Sequence, residues 1–252
     1  MSVSSDKSTV TGPRFDSFME SFGAIIRETR QHATVMRGLS VLLQQDHVGP
    51  LNEDQKELMN ALAERTELLT HYLSQAIHLS EIDISSRPPE TSICNVDELL
   101  QRAIIHVLNR SKNRNALPNI NTTLVDKKLH IFVDELDIER AFFQVVDNAF
   151  RYNPKNSPIT IQTTDTETHV QIIISDMGIG IALKDQNNAF QRHTRIWRED
   201  YPQSSGAGLG LYITQQFVLR NKGAISLNSN ENEGCVIFIL LPKKVALQDF
   251  PE

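Results

Sequence analysis

The sequence predicts an α+β protein: an N-terminal helical hairpin that completes itself as a dimeric four-helix bundle, followed by a two-layer α/β sandwich. Three observations predict it. Two long segments carry apolar residues at three- and four-residue steps on either side of a Gly49–Pro50 break. After residues 85–90, helical patterns alternate with short β-rich runs. The 252 residues suit two modest domains, and 40% hydrophobic with 22% charged content is ordinary for a folded chain.

Residues 1–14 are polar and read as a disordered tail. From residue 15 to about 45, Phe18, Phe22, Ile25, Ile26, Ala33, Met36, Leu39, Leu42 and Leu43 recur at helical spacing with no internal proline. Asp46–His47–Val48–Gly49–Pro50 ends that pattern. Asn52 then caps a second helix to about residue 84, with Gln55 three residues on in capping-box position. Leu58, Leu62, Leu68, Leu69, Leu73, Ile77 and Leu79 make its apolar stripe. The hairpin, residues 15–84, cannot cover both sides of its stripes alone. Pairing with a second hairpin is expected, from another copy or a related chain. Packing against the rest of the same chain is the alternative.

Residues 85–90 are a linker, 91–244 a second domain and 245–252 a tail. Asn95 caps a helix running to about residue 110, and residues 120–125 and 129–133 read as strands. Residues 134–152 form a strongly amphipathic helix, followed by strands at 159–163 and 170–175. A helix at 208–221 and strands at 225–228 and 236–240 complete a mostly antiparallel sandwich.

Composition narrows the function. A net charge of −6 argues against a nucleic-acid partner. Cys94 and Cys235 form no C-x-x-C pair, so neither a disulfide framework nor a thiolate zinc site is expected. The longest apolar run, residues 236–241, falls far short of the ~20 residues needed to cross a bilayer. The first 13 residues hold no apolar signal core. A soluble, cytoplasmic chain without membrane insertion or an attached sensor is expected.

Three clusters carry chemistry. Asp176–Met177–Gly178–Ile179–Gly180–Ile181 follows a β-rich run; alone it could be a turn whose glycines supply positive φ. Gly206–Ala207–Gly208–Leu209–Gly210–Leu211 runs straight into a helix. A glycine-rich helix start offers free N–H groups and a positive dipole end to a phosphate, although this one lacks the G-K-[ST] of a Walker loop. Gln144–Val145–Val146–Asp147–Asn148–Ala149–Phe150–Arg151–Tyr152 ends the amphipathic helix, with Asn148, Arg151 and Tyr152 three and four residues apart on one face. An amide oxygen there can ligate Mg²⁺ and a guanidinium can neutralise phosphate.

In this order, the clusters resemble the ATP-binding domain of histidine kinases, in the GHKL superfamily, over about residues 91–244. Gln144 to Tyr152 resembles the N box, Asp176 to Ile181 the first glycine box, Phe190 the F box and Gly206 to Leu211 the second glycine box. The resemblance implies that Asn148 holds Mg²⁺ at the nucleotide phosphates. It implies that Asp176 accepts a hydrogen bond from the adenine amino group and that Gly178 and Gly180 let the backbone pass the base. Gly206, Gly208, Leu209 and Gly210 would shape the ATP lid and the phosphate-facing helix start, with Arg151 and Tyr152 beside them. Residues 191–205 would be the lid, with Arg192, Arg195 and Arg198 as candidate phosphate contacts. Gln144 stands where the family usually has a first Asn, and Ala207 where Thr or Ser is common.

The hairpin resembles the family's dimerisation and phosphotransfer domain, through Gly38–Leu39–Ser40–Val41–Leu42–Leu43, Gly49 to Gln55 and Leu79–Ser80–Glu81–Ile82–Asp83. Counting back without a gap, the phosphoacceptor box H-E-[LIV]-[RKN]-[TN]-P falls on Arg27–Glu28–Thr29–Arg30–Gln31–His32. Glu28 and Arg30 match; the acceptor histidine is replaced by Arg27 and the proline by His32. Arginine stays protonated and has no lone pair for phosphoryl transfer. His32 lies about 140° round the helix and about 7.5 Å along it from Arg27. Gln31 sits where the family orients a water for dephosphorylation. Three functions follow. One is an ATP-binding, dimeric pseudokinase acting on a partner histidine kinase or response regulator. Another is an active kinase or phosphatase using His32, or a partner's histidine. The third is another GHKL class, such as an anti-sigma serine kinase, against which the hairpin argues.

Overall fold

A computed structural model describes residues 13–44, 49–84, 88–111, 119–124, 129–153, 157–194 and 207–243. The chain divides into two units, at Met1–Ser86 and Arg87–Glu252.

The first unit is a hairpin of α1 (Pro13–Gln44) and α2 (Glu53–Ile84). The cap at its second helix has the expected form. The Gln55 N–H donates to Asn52 Oδ1 at 2.8 Å, and the Asn52 N–H donates to Gln55 Oε1 at 2.9 Å. Two orphan donors are thereby satisfied reciprocally. Ile26, Ala33 and Ile77 are buried between the helices. Ser40 and Thr66 are buried too, each hydroxyl donating to the carbonyl four residues back (2.9 and 2.7 Å). That local bond removes most of the cost of burying a hydroxyl. Much of the apolar stripe stays outside: Ile25, Met36, Leu39, Leu42, Leu58 and Leu62 are exposed.

The second unit begins with β1 (Thr91–Asn95) and α3 (Val96–Ser111), followed by β2 (Ile120–Thr123) and β3 (His130–Asp134). Next come α4 (Glu135–Arg151), β4 (Ile159–Asp165), β5 (His169–Asp176) and the short α5 (Leu183–Gln186). The last elements are α6 (Gly210–Arg220), β6 (Ala224–Asn230) and β7 (Gly234–Pro242). The main sheet has the order β2-β4-β5-β7-β6, and β1 pairs with β3 in a separate two-stranded sheet. Alternate residues of three central strands enter the core: Ile159 and Ile161, Ile172 and Ile174, Ile239 and Leu241. Facing them, α4 buries Ile138, Phe142, Val145 and Val146, and α6 buries Ile213 and Phe217. Each such aliphatic side chain contributes about 1.5–3 kcal/mol on leaving water.

Four departures from the sequence reading have physical causes. β1 is an extra strand: with few apolar side chains of its own, it is held by its ladder to β3. β2 runs parallel to β4, a non-local pairing that local pattern cannot reveal. The short helix α5 follows the first glycine cluster. The last helix starts at Gly210 instead of residue 208, because Gly208 adopts φ +68°, outside the right-handed region. The expected N-terminal tail, residues 1–14, ends earlier than read, since Pro13 and Arg14 belong to α1; residues 1–12, 125–128 and 244–252 lie outside the described residues, as do 85–87 of the linker.

Candidate functional site

Asp176 closes β5 beside Cys235 of β7 in the antiparallel register. Its carboxylate accepts the Gly178 N–H (Oδ1, 2.8 Å) and a backbone hydrogen bond from Cys235. Burial dominates its titration and pushes the pKa from 3.8 to about 6, against the opposing pull of those two bonds. Asp176 is therefore an ionised, largely desolvated acceptor at neutral pH. Burial also pushes the Cys235 thiol up to about 12, with the Asp176 charge adding to it.

The loop after Asp176 is fastened on both sides. The Ile179 N–H donates to the Tyr152 carbonyl at the end of α4 (3.0 Å), and the Asn232 N–H donates to the Ile179 carbonyl (2.8 Å). The Ile181 N–H donates to Ser229 Oγ (2.8 Å). This explains the glycines. A Cβ at Gly178 would lie 2.1 Å from the Tyr152 oxygen, and one at Gly180 would lie 1.9 Å from the Asn230 oxygen. The close backbone approach seen here is to the protein itself. Residues 178 and 180 are small so that the loop can lie between the end of α4 and the β6–β7 turn.

The end of α4 has two polar rows. In one, Gln144 Nε2 donates to Asn148 Oδ1 at 3.1 Å. In the other, the Asp147 carboxylate binds Arg151 on its own helix (3.1 Å) and Arg110 on α3 (3.4 Å). Asp147 and Arg151 are both buried at the side chain, so Arg151 is engaged within the fold as an ion-pair partner. Tyr152 is the C-cap residue of α4, and its carbonyl holds the Asp176 loop.

The start of α6 closes the arrangement. Leu209 is its buried N-cap residue, and a Cβ at Gly210 would meet Gln144 Nε2 at 2.6 Å. Gly208 packs against the Thr194 carbonyl. Three clusters far apart in sequence thus converge. The end of α4 touches the Asp176 loop through Tyr152 and the start of α6 through Gln144. Free N–H groups at that helix start give a partial positive charge suited to an anion. Arg192 is held at the first turn of α6: Nη2 donates to Tyr212 Oη at 2.6 Å, and the guanidinium lies over that ring. Gly206, Arg195 and Arg198 lie outside the described residues.

Arg27, Glu28, Gln31 and His32 belong to the other unit and are all exposed on α1. The Arg27 guanidinium lies along Gly23, where a Cβ would come 3.4 Å from Nη1 and 3.7 Å from Ser80 Oγ. No group of three or more His, Cys, Asp or Glu suited to a metal occurs among the described residues. Nor is any helix among them long and apolar enough to cross a membrane. Sequence reasoning did not find Ser229, Gln186 or Tyr212. Ser229 and Gln186 act through hydrogen bonds to backbone across the β6 edge, which leave no local pattern. The Asp147–Arg151 pair at four-residue spacing was the one legible signal.

Residues 133–245 match the family described as histidine kinase-, DNA gyrase B-, and HSP90-like ATPase. The signal transduction histidine-protein kinase ArlS of Staphylococcus aureus (strain USA300) is 28% identical over 185 residues, 73% of this chain and 40% of the relative. The chain thus spans about two fifths of the curated relatives it matches. In fold it resembles full-length ShkA in complex with AMPPNP, with TM-score 0.64 and 18% identity over 88% of this chain and 45% of that one. It also resembles the Acinetobacter baumannii histidine kinase AdeS, with TM-score 0.57 and 17% identity over 85% of this chain and 96% of that one.

Proposed function

We propose that this chain is of the histidine-kinase type, with a GHKL-type ATP-binding domain over the matched residues 133–245. It binds ATP with Mg²⁺, dimerises through its hairpin, and regulates a partner histidine kinase or response regulator in the cytoplasm without phosphorylating itself. The observation that carries this reading is Arg27. The position on which a gap-free count from Gly38 and Gly49–Pro50 puts the family's phosphoacceptor holds a guanidinium, which is protonated at every physiological pH and offers no lone pair to a phosphoryl group.

The nucleotide half of the reading draws on the convergence around Asp176. Its ionised carboxylate is a strong acceptor for an exocyclic amino group, and desolvation sharpens that preference. The start of α6 supplies N–H donors for phosphate oxygens. A divalent cation fits Asn148: its Oδ1 takes one hydrogen bond, from Gln144, and an amide oxygen has a second lone pair. Mg²⁺ keeps several waters and takes phosphate oxygens, so one protein amide suffices. When bound, it would neutralise phosphate charge. Gly178, Gly180, Gly208, Leu209 and Gly210 shape the backbone round this space, Gly206 being the sixth member of the motif.

The dimer half draws on the uncovered stripe. Ile25 is 61% exposed, Leu39 55% and Leu58 70%. A contiguous apolar face of this kind marks an interaction surface. A second copy of the hairpin, or one from a related kinase, completes a four-helix bundle. This bears on the rival acceptor. Seven-residue steps run from Ile25 to His32 to Leu39, so His32 stays on the same stripe with about 20° of drift per step. Pairing would cover it. Glu28 then has no acceptor to activate, and Gln31 retains an amide that could orient a water on a partner.

The test is incubation of the full chain and its Arg27→His variant with γ-labelled ATP and Mg²⁺. The reading expects no acid-labile label on the wild type and label gained on Arg27→His. Label on the wild type that disappears in His32→Ala transfers the assignment to an active kinase.

A further inference from the structure

We propose that Gln144 is a positioning residue: it sets the orientation of Asn148 and ties that orientation to the start of α6. The inference rests on the nucleotide reading above. Gln144 is 7% exposed and sits one turn before Asn148 on α4. Its Nε2 donates to Asn148 Oδ1 at 3.1 Å. The same amide lies against Gly210, the first residue of α6, where a Cβ would stand 2.6 Å from Nε2 and 3.1 Å from Cδ. The amide of Gln144 is therefore clamped between the Asn148 oxygen and the backbone of another helix.

Two consequences follow from side-chain chemistry. The final torsion of an asparagine is soft, and its amide can present either oxygen or nitrogen. Only oxygen accepts a cation. A donor fixed on Oδ1 decides which end is which and leaves the second lone pair for a ligand. The clamp also explains the glutamine. The extra methylene lets its amide lie against both Asn148 and Gly210, and glycine at 210 leaves it room. Outer groups that orient a ligand in this way are worth about tenfold or more in metal affinity. Displacement of the α6 start by a bound anion would press on Gln144, and so on Asn148, without a direct contact between them.

The variant that separates orientation from packing is Gln144→Met, which keeps the volume and removes the donor. Full-length wild type and variant are titrated with AMPPNP in MgCl₂ and in EDTA. The proposal expects Gln144→Met to lose about tenfold in affinity with Mg²⁺ and to stay within about twofold of wild type in EDTA. An undiminished Mg²⁺-dependent gain overturns it. So does an equal loss under both conditions, which would make Gln144 a mere filler. A wild type that binds no nucleotide sinks the nucleotide reading instead. The positioning claim is then decided in the apo chain by the side-chain amide resonance of Asn148. That resonance moves in both Gln144→Met and Gly210→Ala if the clamp exists, and stays put if it does not.

Discussion

Replacing Asp176 by Asn should stabilise this protein and weaken the proposed nucleotide site, and the size of the first effect can be worked out. Burial raises the carboxylate from 3.8 to about 6. That rise corresponds to about 3 kcal/mol, the penalty for carrying the charge at neutral pH. The sign follows from proton binding. Between the two values the folded state holds the proton more tightly than the unfolded state does. Asp176 therefore supports the fold fully below about pH 4, and that support is lost as pH rises through about 6. Between pH 5 and pH 8 the wild type should lose about 1.4 kcal/mol from this group. Asparagine has no charge to bury. Its single oxygen cannot serve both backbone donors, so about 1 kcal/mol is given back through one lost hydrogen bond. The variant should then be about 2 kcal/mol more stable than wild type at pH 8, and less than 1 kcal/mol more stable at pH 5. For a unit of this size the pH 8 figure is about 4–8 °C in Tm. Thermal unfolding of both proteins at the two pH values measures it. An advantage identical at both pH values, or a variant less stable at pH 8, refutes the reasoning.

Other changes have equally definite outcomes. Gly178→Ala drives a Cβ into the Tyr152 carbonyl, so urea unfolding should report a loss of about 2 kcal/mol or more. Asp147→Ala leaves the Arg110 and Arg151 charges without their shared carboxylate. A loss of about 3 kcal/mol is expected, and Arg110→Met should recover part of it in a double-mutant cycle. Asn52→Ala removes one half of the reciprocal cap and should cost about 1 kcal/mol, seen as a lower urea midpoint with unchanged slope. Leu39→Glu places a charge in the uncovered stripe of α1. Sedimentation should show wild type as a dimer and this variant as a monomer, and a variant that remains dimeric would place the interface elsewhere.

What could be read beforehand depended on how local the physics was. Asn52 and Gln55 announce their cap because both partners lie within one turn. The α4 helix was evident because its apolar residues repeat at one period over its whole length. The order of the Asn148, Asp176 and Gly210 clusters pointed to one site before any of their contacts were known. By contrast, the strand at Thr91–Asn95 has little pattern of its own and exists through β3. The parallel pairing of β2 with β4 reflects topology that no short window contains. Gly178 was legible as a loop glycine, but the Tyr152 carbonyl that forbids a side chain there comes from another element. Asn221 gives the extreme case. Its amide donates to the buried Asp137, 84 positions away, at 3.2 Å, joining the end of α6 to the start of α4. Arg151 shows how far spacing reaches: it marks the right helix end, while the ion pair with Asp147 decides what the guanidinium holds.

The central claim is a nucleotide site of histidine-kinase type in a chain whose phosphoacceptor position is Arg27. One measurement addresses both parts: wild-type protein with γ-labelled ATP and Mg²⁺, scored for label retained reversibly on a filter and for label that survives denaturation. The account predicts reversible retention that unlabelled ATP competes away, and no covalent label of the acid-labile kind. Acid-labile label on the denatured chain, or no reversible retention at all, would contradict it.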